Sequence, residues 1–127
     1  MPVAAHIDLD SRIVMFRCSG HVKISEARRA FDHMMTDPAV VGNASALWDL
    51  RSAAIEEQPR SIPDIMDMLQ HRHPERIGGS RIAILVPEER GPDVSTIVQE
   101  NAASESFKVR VFSSYPNAAR WLGGEEP

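Results

Sequence analysis

Ile82-Ala83-Ile84-Leu85-Val86 is an unbroken apolar run, long enough for a strand and too short for a helix. It offers no polar side to water, so both of its faces must be covered. That is the environment of a central strand in a parallel sheet. Helices are then needed to cover the sheet, and the chain supplies four stripes for them. Ala27, Ala30, Phe31 and Met34 stand at i, i+3, i+4 and i+7. Ile62, Ile65, Met66 and Leu69 repeat the stripe, as do Val94, Ile97 and Val98 with Ala102 beyond, and Tyr115, Ala118, Ala119 and Leu122. None of the four is apolar all round. They are built to lie on a sheet, not to form a bundle.

The remaining strands are read from shorter patterns. Ala5-His6-Ile7-Asp8-Leu9 alternates apolar and polar, and Asp10-Ser11 is a turn pair. Ile13 to Cys18 follows so closely that the two strands must pair as an antiparallel hairpin, ended by Gly20. Ser25 is the expected N-cap of the first helix, with Glu26 at the positive end of its dipole, and Asp37-Pro38 stops it. Ala46-Leu47-Trp48-Asp49-Leu50 is the next buried strand. Ser61, with Asp64 three residues on and Pro63 in the first turn, opens the second helix. Phe107, Val109 and Val111 alternate with Lys108 and Arg110, which suits an edge strand. Gly123 stands where a helix C-cap glycine would.

The order is β-β-α-β-α-β-α-β-α. This predicts an α/β fold: a mixed, mostly parallel five-stranded sheet with an N-terminal antiparallel hairpin, right-handed crossovers and four helices. A chain of 127 residues is expected to form one domain, over 1–123, with 124–127 as a frayed tail. The net charge of -4 weighs against a dedicated nucleic-acid binder, so no nucleic acid is expected. Cys18 is the lone cysteine, which rules out an internal disulfide and fits a reducing compartment. No apolar run has the roughly 18–20 residues of a membrane helix, and the N-terminus lacks signal-peptide character. A cytoplasmic location is the expectation.

Polar groups gather at the predicted strand ends. Asp49, Arg51 and Ser52 lie at or just past the end of the Trp48 strand, where open α/β sheets collect ligands. Asp49 and Arg51 fall on one side of the strand, placed to hold a polar head group or each other. The plainer arrangement, expected here, has Asp49 capping a backbone turn and Arg51 in water. His21 follows Gly20 at another strand end, within reach of the same mouth. Glu88 and Glu89 follow the Val86-Pro87 strand end on the same rim, in what reads as a solvated turn before the bendable Gly91-Pro92 link. From Ser52 to Arg60 the connection exceeds the usual 2–6 residues of a βα unit, which suggests a flap centred on Ile55.

Several chemistries lack their signatures. There is no Gly-x-Gly-x-x-Gly, no P-loop and no Gly-x-Ser-x-Gly elbow, so no cofactor and no catalytic residue are expected. His71 and His73 stand about 200° apart on a helix and make a poor metal pair, so no metal is expected. They belong instead to a local basic cluster running to Arg81. Cys18, inside a strand, reads as a core residue. Met34 and Met66 lie on core stripes, with Met35 and Met68 at their edges.

Three local patterns carry a family resemblance. They are Cys18-Ser19-Gly20-His21-Val22 leading into Ser25-Glu26-Ala27, then Leu47-Trp48-Asp49-Leu50-Arg51, then Val111-Phe112 followed by Ala118-Ala119-Arg120-Trp121-Leu122. With a hairpin followed by βα units, the chain resembles the SpoIIAA-like fold of STAS domains, related to CRAL-TRIO lipid-binding domains. The antagonist members of that family carry an Asp-Ser-Ser-Gly-like motif after the matching strand, whose serine is a phosphorylation switch. Here Ser52 to Ser61 holds no such motif, and only Ser61 opens the helix as a conceivable acceptor. The resemblance implies a small non-catalytic domain working through a protein partner, with a homodimer as one form. The alternative is a binder of a small amphipathic ligand, lipid- or acyl-like, with Arg51 and His21 at its polar end.

Overall fold

The computed structural model describes residues 3–8, 13–37, 45–53, 81–101 and 108–123. Strands β1 (Val3–Asp8) and β2 (Ile13–Gly20) are followed by helix α1 (Ile24–Met35) and strand β3 (Ser45–Ala53). Strand β4 (Arg81–Leu85) leads through a 3-10 turn (Glu88–Arg90) into helix α2 (Gly91–Asn101). Strand β5 (Lys108–Phe112) and helix α3 (Tyr115–Leu122) complete the order. The described residues hold three α-helices. The fourth expected helix, opened by Ser61, lies outside them, as do the Asp10-Ser11 turn and the His71–His73 pair.

The sheet order is β1-β2-β3-β4-β5. β1 and β2 pair antiparallel, and the other three pairings are parallel. β3 and β4 are buried on both faces, as the apolar run required. One face sends Phe16, Trp48, Leu50, Ile82, Ile84 and Val86 against Ala27, Phe31, Met34 and Met35 of α1 and Val94 and Val98 of α2. The other sends Ile13, Leu47, Ala83 and Leu85 against Ala118, Trp121 and Leu122 of α3. The two described crossover helices, α1 and α2, lie on one face, as right-handed crossovers between strands that step in one direction require.

At the centre of the α1 face Trp48 stacks on Phe16, ring centroids 4.1 Å apart, and Phe31 tilts against both. On the opposite face two cations lie near the Trp121 ring. The guanidinium of Arg81 lies 5.3 Å from its ring centroid and that of Arg110 5.9 Å, while Arg81 Nη1 also donates to the Trp121 carbonyl at 2.8 Å.

The local expectations are corrected at four places. α1 begins at Ile24 with Lys23 as its N-cap, not Ser25. The Lys23 backbone N–H donates to Glu26 Oε1 at 2.9 Å, so the glutamate holds the helix start and the serine is not needed there. Gly91-Pro92 is the first turn of α2 and not a link, since a proline there gives up only an unpaired N–H. The buried face of α3 is Ala118, Trp121 and Leu122, and Tyr115 is exposed. Met35 is in the core and not at its edge.

Candidate functional site

β2 and β3 run in register from Ile13↔Ser45 to Arg17↔Asp49, then continue as Ser19↔Ser52. Two steps along β2 therefore face three along β3, so β3 carries one extra residue between Asp49 and Ser52. A bulge of this kind frees a backbone N–H from the ladder and re-aims a side chain. Here the N–H of Arg51 donates to Asp49 Oδ1 at 3.1 Å. The guanidinium follows, with Nε donating to Oδ1 at 3.1 Å and Nη2 to Oδ2 at 3.0 Å. The result is a bidentate ion pair, which is the stronger and more directional kind.

This corrects the arrangement expected from the sequence. Asp49 does cap a backbone N–H, but Arg51 is its partner and not a free solvated cation. Arg51 and Ser52 also lie within β3, which runs on to Ala53, so the long connection begins later than Ser52. The side chain of Asp49 is 10% exposed and that of Arg51 42%. The carboxylate is thus set into the sheet while the guanidinium roofs it from the solvent side.

Burial pushes the Asp49 carboxyl upward, but the hydrogen bonds and charge of Arg51, helped by the charge of Arg17, outweigh it and hold the pKa below its ordinary value. Arg51 is raised in turn, chiefly by its hydrogen bonds to Asp49. Arg17 was not singled out in the sequence. The signal for it was the parallel register, which sets it beside Asp49. A depressed folded pKa means that the unfolded chain takes up the proton first as pH falls. The pair's stabilisation is then complete above about pH 4 and is lost as pH drops through the folded pKa. Arg51→Ala is expected to cost about 1 kcal/mol at neutral pH, because the guanidinium is open to water, and to move the acid limb of the stability curve to higher pH. Urea unfolding between neutral and acid pH measures both. An unmoved acid limb would show that Arg51 does not hold the carboxylate.

Among the described residues, His21, Ser52 and Glu88 make no hydrogen bond to this pair. His21 is exposed at the bend after β2, next to Gly20, whose φ of 63° needs a glycine. Ser52 is exposed opposite Ser19. Glu88 is exposed in the 3-10 turn beyond β4. Ile55 and Ser61 lie outside the described residues. Cys18 is in the core as expected: burial first, and the nearby Asp49 charge second, push its thiol up to about 12. Among the described residues no helix is long and apolar enough to cross a membrane.

Two features went unforeseen. The indole N–H of Trp48 is fully buried and meets no acceptor among the described residues, at a cost of about 1–3 kcal/mol. Tyr115, 39% exposed, stands over the α3-side face of the hairpin, its hydroxyl 3.9 Å from Met15 Sδ. Sequence periodicity had placed that tyrosine in the core.

No protein-family model matches the sequence, and no curated protein matches it. Among solved structures, the chain is similar to an uncharacterised protein of the DUF3478 family from Shewanella loihica PV-4, described as having a SpoIIAA-like fold. The match has a TM-score of 0.60 over 94% of this chain and 91% of that one, at 13% identity. At this identity the likeness establishes the fold, and the fold is the SpoIIAA-like one that the sequence patterns indicated.

Proposed function

We propose that this SpoIIAA-like domain is a small non-catalytic cytoplasmic module that docks a protein partner and does so without a serine phospho-switch. The observation that supports this is the closure of Asp49 on Arg51. The acid and the base at the sheet mouth neutralise each other, and both carboxylate oxygens are taken. Beside them Met15 is half-buried and Tyr115 exposed, with the exposed Arg17 on the same row as Met15. Apolar side chains rimmed by charge have the make-up of a docking surface. The missing Asp-Ser-Ser-Gly motif supports a mode of action other than phosphorylation.

The test is a photo-crosslinking benzoylphenylalanine in place of Tyr115, in cells that naturally make the protein. Discrete protein adducts are expected there, and none when the probe replaces the exposed Glu89. Equal adducts at both positions, or none at Tyr115, would refute the reading.

Trp48 favours a second reading. A buried indole N–H without an acceptor among the described residues would be stabilised by a small amphipathic ligand that brings a carbonyl or carboxylate to the α1 face. The polar end would then sit at Trp48 and not at Arg51 or His21. Native mass spectrometry of freshly purified protein decides it. A bare polypeptide mass, with no thermal shift from an acyl panel, removes it.

A further inference from the structure

The two edges of the sheet are protected differently. β5, at one end, alternates Lys108 and Arg110 with its valines. Charged side chains of that kind block edge-to-edge pairing. β1, at the other end, pairs only with β2 among the described strands. Its sequence Val3-Ala4-Ala5-His6-Ile7-Asp8 holds no Lys, Arg or Pro. From Val3 to Ile7, one row of backbone N–H and C=O groups therefore meets no further strand among the described residues and carries no Lys, Arg or Pro to block one.

The geometry points to a second copy of this chain as the occupant of that edge, joined antiparallel as β1 against β1′ about a two-fold axis through Ala5. A two-fold axis perpendicular to the sheet keeps the same face on the same side, so residues directly opposite must share a face. Val3, Ala5 and Ile7 line the α1 side, and Ala4, His6 and Asp8 the other. Centring on Ala5 sets Ala5 against Ala5′, Val3 against Ile7′ and Ala4 against His6′. The apolar row then continues across the junction. A small side chain lies on the axis, where a larger one would meet its own copy. The acid at the end of each strand falls at opposite ends of the junction, about 20 Å apart at 3.4 Å per residue, so no like charges meet. The two α3-side hairpin faces become one continuous surface.

This dimer goes beyond the docking surface proposed above, and its failure would leave the Tyr115 result standing. Sedimentation equilibrium of the full chain from micromolar to millimolar concentration is expected to show a reversible monomer–dimer equilibrium. Ala4→Lys combined with His6→Lys sets like charges opposite each other at both pairs and is expected to weaken the dimer at least tenfold. Ala4→Glu with His6→Glu should do the same, and mixing the two variants should restore a heterodimer. Thermal melts of each variant check that the monomer is folded. Ala5→Cys is a second, independent measure. Opposed Cα atoms about 4.5–5.5 Å apart lie within disulfide range, so mild oxidation should cross-link native chains through position 5. A monomer at every concentration overturns the proposal. So does a dimer unaffected by the lysine pair, or one that persists without cross-linking through position 5.

Discussion

Trp48→Ala is expected to destabilise the fold by about 3–5 kcal/mol, enough to leave little folded protein in a domain of ordinary stability. Trp48 is completely buried at the middle of β3. Its ring stacks on Phe16 of β2 and meets Phe31 of α1, so one truncation removes a central contact between helix and sheet. The residual cavity adds to the loss because β2 and β4 hold their spacing through the hydrogen-bonded ladder. Trp48→Phe behaves differently. It keeps an aromatic face on Phe16 and removes the indole N–H that has no acceptor among the described residues, so a smaller loss of about 1 kcal/mol is expected. Urea unfolding of the three proteins separates the terms. Equal losses for the two variants would mean that the indole N–H is satisfied. A small loss for Trp48→Ala would mean that the stack is not what holds α1.

Cys18 carries the second large effect, at alkaline pH. In the fold its thiol keeps the proton up to about 12, whereas an unfolded cysteine releases it near 8.5. Between those values the unfolded state binds fewer protons. Stability is therefore unaffected below about pH 8 and falls as pH rises, by up to roughly 1.4 kcal/mol per unit. Over the window the loss is about 5 kcal/mol relative to Cys18→Ala, which has no thiol to ionise. Subtracting the variant's curve removes the lysine and tyrosine titrations common to both proteins. A difference curve flat to pH 11 would show that the folded thiol ionises normally. Asp49→Asn should end the loss at a lower pH, because the Asp49 charge is the second cause of the shift.

The fold was legible because its signals are periodic. A doubly covered strand such as Ile82–Val86 has to be apolar throughout, and a one-sided helix has to repeat every three to four residues. These patterns follow from backbone geometry and survive without neighbours. The site was legible only as a list. Asp49, Arg51, Ser52, His21 and Glu88 could be assigned to strand ends, but distance along the chain does not say which ends touch. Period two allowed Asp49 and Arg51 to pair without deciding that they do, and the bulge beside them has no composition signal when no glycine or proline marks it. Tyr115 was misplaced because periodicity gives a stripe without its phase. Trp121, larger than Tyr115 and able to bind two guanidinium groups, rotates α3 so that it faces the sheet.

The sequence by itself therefore determined the five strands, the three helices of the described residues, the hairpin, the covered central strands and the SpoIIAA-like fold. Those depend on hydrophobic burial at fixed backbone periods. Only the tertiary structure decided that Arg51 closes on Asp49, that Arg17 stands beside them, that the Trp48 N–H meets no acceptor among the described residues, and that β1 is an end strand of the described sheet. Each of these depends on register and contact between distant segments, and both are set by the packing of the whole domain and by no local pattern.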